Sequence, residues 1–166
     1  LYSSAESDVY KRPPLLTGRI LLSKPDAKWE TGGPLDLNEG PEVLVNGDNL
    51  FVIYSCGQSW LETYKLAQLR LKDKDADLLE RANWEKSGPV FTGNDKVHGV
   101  GHASFTTSPG GTENWIVYHS KIDLKPGWRR DIRIQRFTFD KSGAPVFGKA
   151  EPASRRQPKP SGNFRK

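Results

Sequence analysis

Alternation of apolar and polar residues dominates this chain, and it predicts strands. Asp131–Phe139 (DIRIQRFTF) alternates with the period of two that a half-buried strand requires. Lys65–Leu71 (KLAQLRL) reads as a second strand, and Arg19–Leu22 is a short apolar run of the same kind. Glu42–Val45 and Asn49–Ser55 flank Asn46-Gly47-Asp48, a hairpin signal because Asn-Gly accepts the positive φ of a tight turn. His102–Thr107 and Asn114–His119 flank Pro109-Gly110-Gly111 in the same way. Lys141-Ser142-Gly143 turns the long strand into Pro145–Phe147. Helical periodicity is scarce. Its best candidate, Ala76–Trp84 (ADLLERANW), reads equally as two helical turns or as a loop with one turn.

These segments fall into two similar sets. Gly40-Pro41-Glu42, a hairpin, Phe51–Ser55 and Leu66–Leu69 form one. Gly101-His102-Ala103, a hairpin, Trp115–His119 and Arg133–Arg136 form the other, with corresponding positions about 61 to 67 residues apart. A repeated unit of three or four antiparallel strands predicts an all-β architecture of β-propeller blades, which bury their faces by stacking. Blades are expected near 40–95 and 99–148, in a domain covering 1–148. Two blades cannot close a ring, so further blades are expected from another chain or from a longer product.

Composition narrows the class. With 35% hydrophobic and 27% charged residues, 16 Gly and 12 Pro, the chain reads as a loop-rich globular β protein and not as a disordered one. No apolar run approaches the ~20 residues of a membrane helix. The lone Cys56 has no partner for a disulfide, and none for a structural zinc site. The chain contains no Met and starts at Leu1, which points to a processed or truncated piece. Its net charge of +5 is uneven: residues 1–148 carry 19 basic and 19 acidic side chains, and the excess lies beyond. Residues 149–166 therefore read as a basic, solvated tail, and nucleic-acid binding through it is the weaker reading.

One resemblance adds to this. Asn38-Glu39-Gly40-Pro41-Glu42-Val43-Leu44, then Asn46-Gly47 and Phe51–Ser55, resembles the acid-bearing blade of glycoside hydrolase family 43. Leu21–Pro25 with Trp29-Glu30, Trp84–Ser87 with Pro89–Phe91, Gly99–Phe105, Trp115–His119 and Arg130–Gln135 follow the arabinofuranosidase-type members in order, over roughly residues 18–148. The resemblance implies part of a five-bladed propeller and hydrolysis with inversion at the sugar. It implies a general-acid role for Glu39, and partial burial at a strand start would keep that carboxyl protonated. Glu42 reads as structural.

His102 resembles the histidine beside a water-shelled calcium ion at the propeller axis and is expected to line the substrate pocket. Arg133, with Arg130 in reserve, resembles the basic residue that steadies the acidic cluster. Trp60 and Tyr64 follow a strand end, where flat aromatics stack on sugars or simply pack. His98 and His119 are weaker candidates. Cys56 has no adjacent base and reads as packed.

The family's base and its second Asp lie upstream of the matched region, and Asp8, Asp26 and Asp36 do not match their surroundings. The chain therefore reads as the C-terminal half of an inverting enzyme acting on α-L-arabinofuranosyl linkages in plant polysaccharides, weakly active or inactive alone. The alternative is a carbohydrate-binding or lectin-like remnant of the same fold. Uncovered blade faces predict self-association or an N-terminal partner half. A polysaccharide substrate implies secretion, with no nucleic-acid or membrane partner.

Overall fold

The computed structural model describes residues 20–162. Eight strands form two antiparallel four-stranded sheets, each a simple meander. The first contains β1 (Asn38–Asn46), β2 (Asn49–Cys56), β3 (Lys65–Leu71) and β4 (Trp84–Phe91). The second contains β5 (His98–Thr107), β6 (Asn114–Lys121), β7 (Arg130–Phe139) and β8 (Pro145–Val146). Gly47 takes φ +56° at the first hairpin, as its Asn-Gly signal requires.

The sheets are stacked, and β5 packs across β1, β2 and β3. Phe51, Ile53, Leu66 and Phe91 meet Ile116, Tyr118, Phe137 and Phe147 in one buried core, with Phe91 edge-on to Tyr118 at 4.9 Å. The opposite face of the first sheet buries Tyr54, Cys56, Ala67, Leu69 and Trp84 beneath Leu22 and Trp29. That explains why Asn49–Cys56 is apolar at nearly every position: both faces of β2 are covered. Beneath Trp29, Glu30 is buried and accepts hydrogen bonds from Lys86 Nζ, Tyr54 Oη, Asn38 Nδ2 and the Asp26 and Ala27 amides.

One strand expectation changes, one open alternative closes, and one strand lacked a local signal. Ile20–Leu22 forms no strand but lies over the first sheet, and Arg19 falls outside the described residues. Ala76–Trp84 takes the alternative of a loop with one turn: Asp73 and Asp77 accept amides two residues on, leaving one 3₁₀ turn at Arg81–Asn83. The strand after it, β4, was hidden by Gly88-Pro89, which this outer strand tolerates beside a register shift between Leu66 and Gln68.

The boundary at 148 moves as well. Within the described part of the expected tail, Ala150 is buried, and Gln135 Nε2 and Asn94 Nδ2 donate to the Lys149 and Ala150 carbonyls. Further on, Gly110 N donates to Ser161 O at 2.9 Å, and Ser161 N donates to Glu113 Oε2 at 2.9 Å. Gln135 on β7, Asn94 in the β4–β5 connection, and Gly110 and Glu113 in the β5–β6 turn thus tie residues 149–151 and Ser161 to the folded body. No helix among the described residues is long and apolar enough to cross a membrane.

Candidate active site

Gly40 and His102 stand at equivalent places in the two sheets, each at a positive φ in the bulged start of its strand, β1 or β5, with Glu39 just before Gly40. The β1–β2 register shifts between Glu39 and Glu42, and the β5–β6 register shifts between Gly101 and Ser104. Bulges re-aim side chains out of the regular alternation. His102 pays for its aim with φ +52°, a left-handed backbone that non-glycine residues seldom adopt. Its amide donates to the buried Ser55 Oγ at 2.7 Å, tying β5 to the end of β2. Gly40, next to Glu39, is needed at φ +55° and for proximity: a Cβ there would lie 3.2 Å from His102 Nδ1.

Tyr64, fully buried before β3, joins the two. Its hydroxyl donates to Glu39 Oε1 at 2.8 Å. Burial, and after it the Glu39 carboxylate, push the phenol above its usual range against a lowering by Ser55, so it stays a donor. Its ring stacks on His119 at 5.3 Å and 7°. Burial first, then Arg130 and His102, push the His119 imidazolium down to about 4, leaving the ring neutral at ordinary pH. His102 lies 6.1 Å beyond it.

Arg133, the expected basic residue, sits apart from His119. Tyr118 pairs with Arg133, whereas His119 pairs with Ile132 and Lys121 with Arg130. Because strand side chains alternate, Arg133 leaves the sheet on the face opposite His119. Its guanidinium is committed to Asp131 and to the Glu151 carbonyl. Arg130 takes the place beside the site: its Nη1 lies 3.4 Å from His119 Nε2, and its guanidinium covers Trp128 at 5.0 Å. Trp60 is at the same end, 5.3 Å from Trp128. Trp128 was missed, although an aromatic beside Gly127 in a turn-rich loop was a readable signal.

The remaining candidates lie apart or are occupied. Asp26 is held by Lys86 at 2.7 Å, and Asp36 accepts from the Gly32 amide. Asp8 lies outside the described residues. Cys56 is buried and its thiol is pushed up to about 11, first by burial. For calcium, His102 offers one nitrogen where that ion takes six to eight oxygens, and no three His, Cys, Asp or Glu side chains converge among the described residues.

Glu39 thus has Oε1 engaged by a buried donor, while Oε2 has no hydrogen bond among the described residues.

Comparison with known proteins places this arrangement. The profile described as glycosyl hydrolases family 43 matches residues 16–145. An extracellular exo-α-(1→5)-L-arabinofuranosidase of Streptomyces avermitilis is 35% identical over 76% of this chain and 28% of its own length. Alpha-L-arabinofuranosidase B of Pyricularia oryzae is 33% identical over 78% of this chain and 28% of its own. Among solved structures, an α-L-arabinofuranosidase from Lactobacillus brevis aligns with a TM-score of 0.76 and 35% identity, over 82% of this chain and 44% of that one. The chain therefore spans less than half the length of these relatives, and its two sheets are blades of a β-propeller. The match spans most of the chain and nearly all of both sheets: the chain belongs to the family 43 glycosyl hydrolases.

Proposed function

We propose that this chain supplies the acid-bearing part of an inverting glycoside hydrolase acting on α-L-arabinofuranosyl linkages in plant polysaccharides such as arabinan or arabinoxylan. The bond from Tyr64 to Glu39 Oε1 carries the reading. With Oε1 accepting, the acidic proton sits on Oε2. It passes to the glycosidic oxygen as the bond from that oxygen to the sugar's anomeric carbon breaks. Water attacks the same carbon from the opposite face and gives its proton to a carboxylate roughly 6.5–9.5 Å from the acid.

That carboxylate is to come from outside residues 20–162, because Asp26 and Asp36 are engaged elsewhere. The 166-residue chain alone is accordingly expected to hydrolyse arabinosides weakly or not at all. An N-terminal half, or a second copy, would cover the outer sheet faces, where Ile132 is 83% and Val43 60% exposed. His102 and Trp60 are proposed substrate contacts, with Arg130 replacing Arg133 beside the acid. Secretion follows from the substrate and agrees with the relatives named extracellular.

The test is Glu39→Gln in the full natural polypeptide that carries this sequence. Loss of a general acid should lower hydrolysis of an alkyl arabinofuranoside by about 10²–10⁴-fold and spare nitrophenyl arabinofuranoside, whose leaving group needs no proton. Equal loss on both substrates would refute the acid role. Full retention of both would favour the sugar-binding alternative for this half.

A further inference from the structure

The loop between β6 and β7, residues 122–129, is held unusually firmly for a segment that displays an open tryptophan. Lys121, 1% exposed at the end of β6, turns its ammonium under the loop and donates to the Lys125 and Gly127 carbonyls at 2.6 and 3.0 Å. Ile122 N donates to Arg129 O, and Arg129 pairs with Asp123 at 2.8 Å across the loop. A buried lysine carries a desolvation cost, and here its return is the fixing of two loop carbonyls.

The loop is also joined to the first sheet. Gly127 N donates to Trp60 O at 3.0 Å, and the two indoles meet at 5.3 Å with planes 51° apart. They form a corner, not a stacked pair. Arg130 backs Trp128 at 5.0 Å, yet Trp128 remains 64% exposed. The indole is held from behind by Arg130 and its other face is open in this chain.

We propose that the Trp60–Trp128 corner is a binding subsite for a pentose ring of an arabino-oligosaccharide, with Lys121 as its positioning residue. The proposal rests on the hydrolase reading for its ligand. Contacts run unbroken from the corner to the acid: Trp128 to Arg130, Arg130 to His119, His119 to Tyr64, and Tyr64 to Glu39. The corner thus lies at the end of one series of contacts that begins at Glu39. Flat indole faces bind the apolar C–H face of a sugar, and the Arg130 guanidinium offers donors to its hydroxyls. Because the corner is rigid beforehand, binding need not order it.

The experiment is tryptophan-fluorescence titration of the 166-residue chain with arabinotriose, with maltotriose as control. Wild type should respond saturably to arabinotriose only. Trp128→Ala should weaken binding roughly tenfold or abolish it, Trp128→Phe should retain most of it, and Leu79→Ser on a distant surface should change nothing. Lys121→Met should weaken binding and raise amide exchange in 122–129 while the sheet amides stay protected. Should Lys121→Met fail to fold, the Trp128 pair decides. Unchanged affinity in Trp128→Ala, or no arabinotriose binding by the folded wild type, overturns the subsite. Neither result touches the leaving-group test of Glu39, so the two readings fail separately.

Discussion

The Tyr64 hydroxyl lies 2.8 Å from Glu39 Oε1, and the Tyr64 ring fits there because residue 101 has no side chain. A Cβ on Gly101 would fall 2.2 Å from Tyr64 Cε1. The backbone of one blade therefore sets the position of the donor that holds Glu39 in the other. Gly101 serves by close approach, not by unusual φ.

Gly101→Ala should accordingly displace Tyr64 from its stack on His119 and break the bond to Glu39. Overpacking of this kind costs about 1–3 kcal/mol. Urea denaturation should show a lower midpoint with an unchanged slope, and the near-ultraviolet tyrosine signal should change. Tyr64→Phe, which keeps the ring and loses only the hydroxyl, should cost about 1 kcal/mol.

Lys86 holds the buried carboxylate of Glu30 at 2.6 Å, and Glu30 in turn accepts from Asn38, the residue before Glu39. Lys86→Met leaves that charge without its cation. Breaking such a pair destabilises by roughly 3 kcal/mol. The double variant Lys86→Met with Glu30→Gln should recover part of the loss, as a thermal melt of all three proteins would reveal.

Acidification should weaken the fold in two windows. His119 is neutral when folded, with its value pushed from 6.5 down to about 4. The unfolded chain takes up that proton first, so stability present above pH 6.5 is lost as pH falls toward 4. Glu30 is lowered from 4.5: burial opposes this, but donation by Lys86, Ala27, Tyr54 and Asn38 outweighs it. Its contribution is present above pH 4.5 and is lost as pH falls further. Denaturant midpoints taken across this range should decline in both windows, and His119→Gln should flatten the upper one alone.

Cys56 is fully buried, with its thiol pushed up to about 11. A disulfide reagent at pH 8 should leave it unmodified in the native protein and label it completely in denaturant. Rapid native labelling would place Cys56 elsewhere than under Trp29 and Leu22.

Period-two alternation revealed most strands, since each strand's faces are written into its own residues. It failed at β4, where Gly88-Pro89 interrupts the pattern, and at Ala76–Trp84, where aspartate side chains draw the amides into turns. Glu39 and His102 were marked by motif, and Gly40 and Gly101 beside them were visible as a repeat. Arg130 and Arg133 were not separable, because their choice depends on how β7 registers with β6. The folding of residues 149–162 was hidden by composition: basic, Pro-rich residues look solvated until Gln135 and Asn94 are seen donating to their carbonyls.

The order of residues alone thus determined two repeated antiparallel sheets and a family signature, because alternation and turn chemistry act within a few residues. Tertiary structure decided which hydroxyl grips Glu39, which arginine faces His119 and which tryptophans meet. Those contacts join residues far apart in the chain, and a single bulge or one-residue change of register would exchange one side chain for its neighbour on the other face.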